Sequence, residues 1–234
     1  MIGWLPGRTR WARRFAREAR RTRDAELRAY YATGPVPSHT PLAETPFLAL
    51  DLETSGLDPR RDRVLSIGWV ELSLAGIACQ SARYHLIENG EGWSESTVPI
   101  HGLTHDTLAR HGWVLEYALR ELLTALRGRV GIVHHAPIER GFLNACLQGL
   151  GMGRWVFPVI DTLRVERRWL LHRGPLPEGQ NQHSLRLDDT RRVYGLPRYK
   201  AHHALTDAIA CAELWLAQAR YHYTPETPIR KVWS

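Results

Sequence analysis

Apolar residues recur along the chain in two rhythms. Between Arg8 and Tyr31 the spacing is helical, with Trp11, Phe15, Ala19 and Leu27 on one side, arginines on the others, and no Gly or Pro. The next stretch, TGPVPSHTPLAETP, holds four prolines and predicts an extended linker. From Phe47 the pattern changes to short apolar runs. PFLALDLE predicts a buried strand, and VLSIGWVELSL and ACQSARYHLIE predict two more, joined as a hairpin through Ala75–Gly76. Residues 89–99 read as a loop. VLEYALRELLTALRG predicts an amphipathic helix closed by Gly128.

A strand at Val130–His134 and a helix from Pro137 to about Leu150 follow. WVFPVI reads as another strand, ending at Asp161–Thr162, which can cap the next helix. A helix around Leu185–Tyr194, a turn at Gly195–Pro197 and a long helix from about Ala204 to Tyr221 complete the pattern. Three consecutive strands followed by alternating helix and strand imply an α/β protein, a mixed sheet with helices on its faces.

Charge refines this picture. The 234 residues carry a formal +7, and residues 1–45 hold nine arginines against four acids, so most of the excess sits before the first strand. A basic arm suggests a polyanionic partner, most simply nucleic acid. Three readings of the N-terminal helix remain open: a solvated helix packed on the body, an arm touching nucleic acid or a partner protein, and a transit peptide, against which Glu18, Asp24 and Glu26 count. No apolar run is long enough to span a membrane. Cys79, Cys146 and Cys211 form no CxxC pair, which favours a reducing, cytoplasmic compartment over a disulfide or zinc scaffold.

The candidate chemistry begins with Asp51 and Glu53 at the end of the first predicted strand. Period-2 geometry sends both carboxylates to one face, where hard oxygen ligands suit Mg²⁺ or Mn²⁺. Thr54, Ser55 and Gly56 add small hydroxyls and a permissive backbone able to approach a phosphate or sugar. Near the last helix, AHHALTDA places His202 five residues before Asp207. The two converge only if His202 lies on the preceding loop and Asp207 on the first helical turns. A histidine titrating near neutrality can take a proton from an activated water. His203 is the rival imidazole, read as structural.

Taken in order, DLETSGLDP, IHGLT, HHAPIERGFL, DTL and HSL…YGLP…HHALTDA resemble the DnaQ-like DEDDh 3′→5′ exonucleases over roughly residues 46–220. That family includes the proofreading epsilon subunit of bacterial DNA polymerase III, ribonuclease T and oligoribonuclease. The resemblance implies a ribonuclease H-like fold with a five-stranded mixed sheet, over residues 46–222, between the basic helical extension and linker (1–45) and a tail (223–234). It implies two divalent cations, Mg²⁺ or Mn²⁺, held by Asp51, Glu53, Glu139 and Asp207, with His202 as general base. Thr54, Ser55, Gly56 and Leu57 match the segment that cradles the terminal nucleotide, and His101, Gly102 and Leu103 resemble the family's HGIT-like segment near the substrate.

The middle motif departs from the family's His-Asn-Ala-x-Phe-Asp. Here it reads His134, His135, Ala136, Pro137, Ile138, Glu139, so Glu139 takes the Asp position and His135 replaces Asn. The extra methylene must fold back or shift the metal, because metal catalysis depends on placement within a fraction of an ångström. Expected partners are single-stranded DNA or RNA 3′ ends, DNA favoured, and a DNA polymerase subunit for which the N-terminal helix would be a docking element. Two other readings are an RNA-directed exonuclease of the oligoribonuclease or ribonuclease T type and an interaction module whose nuclease site has drifted.

Overall fold

The structure, a computed structural model, describes residues 10–89, 101–173, 184–200 and 202–234. Its sheet has five strands: β1 (Phe47–Thr54), β2 (Val64–Ser73), β3 (Gly76–Leu86), β4 (Val130–Val133) and β5 (Val159–Asp161). They lie in the order β3-β2-β1-β4-β5. The β1–β2 and β2–β3 pairs are antiparallel and the β1–β4 and β4–β5 pairs parallel. This is the mixed α/β sheet of a ribonuclease H-like fold. The helices are α1 (Arg10–Arg21), α2 (Ala25–Thr33), α3 (His105–His111), α4 (Leu115–Leu126), α5 (Ala136–Gly149), α6 (Thr162–Arg173), α7 (Leu187–Val193) and α8 (Ala204–His222).

Strand β1 explains where the site forms. Leu48, Leu50 and Leu52 enter the core shared with α4 and α5, while Phe47 and Ala49 face the opposite core, with Cys211 and Trp215 of α8. Side chains alternate along a strand, so Asp51 and Glu53 continue the α8-facing row at the end where its apolar partners stop. Each buried leucine contributes about 1.5–3 kcal/mol, which holds the register that sets this alternation.

Three expectations are corrected. The N-terminal helix is two helices, because Asp24 adopts extended geometry and its Oδ1 accepts from Leu27 N at 2.8 Å, capping α2 and breaking the run. The proline-rich stretch is not a free linker. Val36 and Leu42 are buried, and Pro41 forms a bridge with Pro228. WVFPVI is a strand only over its last residues and Asp161. Pro158 has no N–H for a ladder, although its carbonyl still accepts from Gly131 N.

The basic extension packs on the body. Trp11 and Phe15 of α1 and Leu27, Tyr30 and Tyr31 of α2 join the core of α4 and α5. The Phe15 ring lies 5.4 and 5.3 Å from those of Tyr30 and Tyr31. The Tyr31 hydroxyl donates to Arg154 O and accepts from Val156 N. Arg120 of α4 is gripped by Asp24, Glu26 and Glu116. Among the described residues, no helix is long and apolar enough to cross a membrane.

Candidate active site

Four carboxylates gather near the end of β1, close enough that the charges of the other three act on Asp51. Asp51 and Glu53 come from the strand, Glu139 from the first turn of α5 and Asp207 from the first turn of α8. Burial raises the Asp51 pKa well above the carboxylate range, and the negative fields of Glu139, Glu53 and Asp207 raise it further. Glu53 is pushed up to about 7, by burial first and then by Asp207. Glu139 is raised by burial and by Asp161, with Arg140 opposing. Asp207 is also raised by burial, against hydrogen bonds from the His202 and His203 backbone. Crowded acids of this kind repel one another until protons or cations intervene.

The donor set fits a hard divalent cation. Ligand atoms of Glu53, His202 and Asp207 lie within 4.8 Å of one another. Glu139 is buried, and its Oε2 has no hydrogen-bond partner. A buried carboxylate oxygen left open costs free energy that coordination would recover. Asp51 stands among these groups, within the electrostatic reach of all three other acids.

The third motif is placed by a close backbone approach. Gly68 of β2 sits opposite Asp51, and a Cβ there would lie 2.2 Å from Leu205 N and 2.4 Å from the Ala204 carbonyl carbon. The absence of a side chain lets the α8 N-terminus press onto the sheet and brings Asp207 beside the β1 acids. His202 precedes the helix with φ +68°, and its N–H donates to Asp207 Oδ2 at 2.7 Å. This positive φ presents an exposed imidazole at the acidic cluster. His203 is the N-cap of α8. Its ring accepts from Thr206 N and stacks on Tyr84 at 4.2 Å.

The second motif is placed by Asp161, at the end of β5. Its Oδ1 accepts from His135 N at 3.1 Å and its Oδ2 from Ala136 N at 3.0 Å, while Oδ1 also accepts from Arg164 N at 3.3 Å. One carboxylate therefore caps α5 and α6 together and offsets the strain of His135, whose φ is +94°. The His135 side chain is exposed. His134 is held between the Thr162 hydroxyl at 2.8 Å and Leu185 O at 2.9 Å.

The expected substrate-side residues divide by exposure. Ser55 is buried and braces the β1–β2 loop through Asp62 and Arg63 N, and Thr54 donates to Gly56 O. Gly56 passes so near Asp62 that a Cβ would lie 2.4 Å from Oδ2. Leu57 is 77% exposed at the tip of the loop. His101 accepts from Leu103 N, and its pKa is lowered by burial and by nearby His202, so this segment borders the site. Gly102 has φ +73° and needs its glycine, and Leu103 packs beside Leu65 and Leu108. The loop expected at 89–99 falls outside the described residues after Asn89.

Sequence reasoning missed Gly68 and the full role of Asp161. A glycine inside VLSIGWVEL was the available signal for a close approach. Asp161 was legible as a cap for the helix after it, but not for the helix before it.

Fold and site together define a nuclease-type α/β domain with an acidic, cation-ready centre. The chain belongs to the exonuclease family of the ribonuclease T type, whose model matches residues 48–215. It is 30% identical over 171 residues to a PolC-type DNA polymerase III of Thermotoga petrophila, covering 73% of this chain and 12% of that protein. To the DNA polymerase III epsilon subunit of Treponema pallidum it is 28% identical over 176 residues, covering 75% and 77%. The chain thus spans about an eighth of the length of the PolC-type relatives. The nuclease domain of 3′hExo, a DEDDh family member bound to rAMP, superposes with a TM-score of 0.61 at 13% identity, covering 76% of this chain and 92% of that one. At that identity the likeness concerns the fold.

Proposed function

We propose that the protein is a metal-dependent 3′→5′ exonuclease that releases nucleoside 5′-monophosphates from single-stranded nucleic acid, with DNA as the favoured substrate. The convergence of Asp51, Glu53, Glu139 and Asp207 around the exposed His202 imidazole carries this reading. The four carboxylates would hold two Mg²⁺ or Mn²⁺ ions. Bound there, the cations would neutralise the scissile phosphate and lower the barrier to attack by water.

The residues of the chain then divide the remaining work. The His202 imidazole, held by its own backbone bond to Asp207, accepts the proton of the attacking water. The Thr54–Leu57 segment receives the terminal nucleotide, with exposed Leu57 against its base and the braced loop backbone against its sugar. His101, Gly102 and Leu103 flank the same end, and His135, exposed beside the second motif, faces the substrate side. Glu139 keeps the charge of the family's aspartate with a longer reach.

The DNA preference rests on relatives named as DNA polymerase III proteins, which also makes a polymerase subunit the proposed protein partner. The rAMP bound to 3′hExo supports RNA as the second reading. The test is an assay of end-labelled, matched DNA and RNA strands with Mg²⁺ or Mn²⁺, beside Asp51→Ala. Stepwise mononucleotide release from DNA, lost in the variant, is expected. Release from RNA alone transfers the activity to RNA, and no release with either metal overturns the proposal.

A further inference from the structure

Helix α1 does not merely cover the core; it walls a second concavity. Between α1, α5 and the Arg154–Phe157 segment lies a cavity of about 410 Å³, lined among others by Trp11, Arg14, Arg140, Asn144, Gln148 and Arg154. Three guanidinium groups and no carboxylate border it. Arg140 spends one nitrogen on Phe157 O and Ser234 O and lies 5.8 Å from the Trp11 ring centre. Arg14 packs over the other side of Trp11 at 4.6 Å. Neither Arg14 nor Arg154 has an ion pair among the described residues. Burial lowers the Arg14 pKa, and nearby Arg10, Arg154 and Arg17 lower it further against the smaller opposing field of Glu18, so positive charge is crowded here. Asn144 is already satisfied by the Arg140 and Trp155 backbone, which leaves the arginines as the charged donors of the cavity.

The cavity borders the loop that carries part of the candidate substrate side. Gly141 lines it, and a Cβ on Gly141 would lie 2.9 Å from Pro59 Cγ in the β1–β2 loop. That loop carries Leu57 and exposed Arg60, Arg61 and Arg63. On its far side, α1 presents a further basic concavity lined by Arg13, Arg17, Arg20 and Arg21. Arginines therefore stand on the loop, where Asp58 and Asp62 accompany them, at the cavity and along α1.

We propose that the α1–α5 cavity is a phosphate-binding subsite for the backbone of a single strand whose 3′ end lies in the acidic centre. This rests on the nuclease reading for the direction of the strand. Guanidinium groups suit it chemically, since each offers paired N–H donors to phosphate oxygens. The subsite accounts for an Arg-rich helix packed by an aromatic stripe beside an almost neutral body.

The test is binding of a single-stranded oligonucleotide to the full chain in EDTA, followed by fluorescence anisotropy across a salt series. Arg14→Gln/Arg154→Gln is expected to weaken binding about tenfold and to reduce the slope of log K against log salt by about 1.4, since each phosphate contact on a single strand contributes about 0.7. Arg230→Gln/Lys231→Gln, on the other face of the sheet, removes equal charge and should leave the slope unchanged. Gln148→Glu, an exposed change at the cavity rim, should weaken binding severalfold without touching the core. Unchanged affinity and slope in the Arg14/Arg154 variant, or an equal loss in the control, overturns the subsite. Saturable orthophosphate binding that needs Arg14 and Arg154 while strand affinity stays constant would assign the cavity to free phosphate and equally overturn it. Because EDTA silences the acidic centre, a failure of nuclease activity leaves this readout intact.

Discussion

Gly68 and Leu205 approach so closely that a single added methyl group on the strand would fall 2.2 Å from the helix nitrogen. Helix α8 carries Asp207, and Gly68 is the register partner of Asp51, so this contact sets the distance between the first and third motifs. Gly68→Ala must lift the helix or bend the strand. We expect a loss of more than tenfold in kcat with a smaller change in KM, and a Tm lowered by several degrees, since overpacking costs about 1–3 kcal/mol. Steady-state kinetics and a thermal melt check both parts; wild-type kcat in Gly68→Ala refutes the positioning role.

Asp161 should behave as a positioning residue. Asp161→Asn keeps the shape but turns an NH₂ toward backbone donors and removes the charge that holds His135 and Ala136. Stability should fall by about 1–3 kcal/mol, the range for losing a charge-assisted cap. The Mn²⁺ affinity of the variant, read by calorimetry at a temperature where it is folded, should also fall, because Glu139 rides on the helix that Asp161 caps. An unchanged affinity would confine Asp161 to a structural role.

Glu139→Gln separates charge from shape. Removing a buried, like-charged acid should leave the EDTA-stripped protein as stable as wild type or more so, while the stabilisation given by Mn²⁺ shrinks. Glu139→Asp, shorter by one methylene, should retain metal binding. Thermal melts with and without Mn²⁺ decide this, and an undiminished Mn²⁺ effect in Glu139→Gln removes Glu139 from the ligand set.

The metal-free protein should lose stability as pH rises. Glu53 titrates at about 7 when folded, above its ordinary 4.5, so the folded state holds a proton that the unfolded chain has already released. That contribution is fully present below about pH 4.5 and is lost as pH rises through 7. Melts in EDTA should show a declining Tm between pH 5 and 8 from this acid, and added Mn²⁺ should stabilise more at pH 8 than at pH 5.5. Equal Mn²⁺ shifts at both values contradict the proposed ligand set.

The two adjacent histidines should part company. His202→Ala is expected to cut kcat by about 10²–10⁴, the usual worth of a general base. His203→Ala loses a cap and a stack on Tyr84, so it should cost stability, about 1 kcal/mol, with kcat largely kept. The reverse pattern would move the base to His203.

These residues show what was legible beforehand. The sheet was readable because its strands are apolar runs bounded by turns, and Asp51 and Glu53 share a face through simple alternation. His202 and Asp207 were readable as loop and helix partners from their spacing. The break at Asp24 was not, since arginine and alanine favour helix on both sides and only the local cap decides. Nor was the Gly68 contact, which depends on an element 136 positions later packing across the strand. The arginine cavity was equally hidden, because α1 and α5 are distant in sequence and their basic residues look like ordinary solvated faces.

The docking of Phe15, Leu27, Tyr30 and Tyr31 bears on how this protein can be handled. The segment matched to the exonuclease family, residues 48–215, is not by that token a self-sufficient piece. Trimming to it would uncover the aromatic seat around Trp155 and strand Arg120 without its Asp24 and Glu26 clasp. A shortened version that clumps or fails to melt cooperatively would then report a missing wall, and would say nothing about what the wall binds.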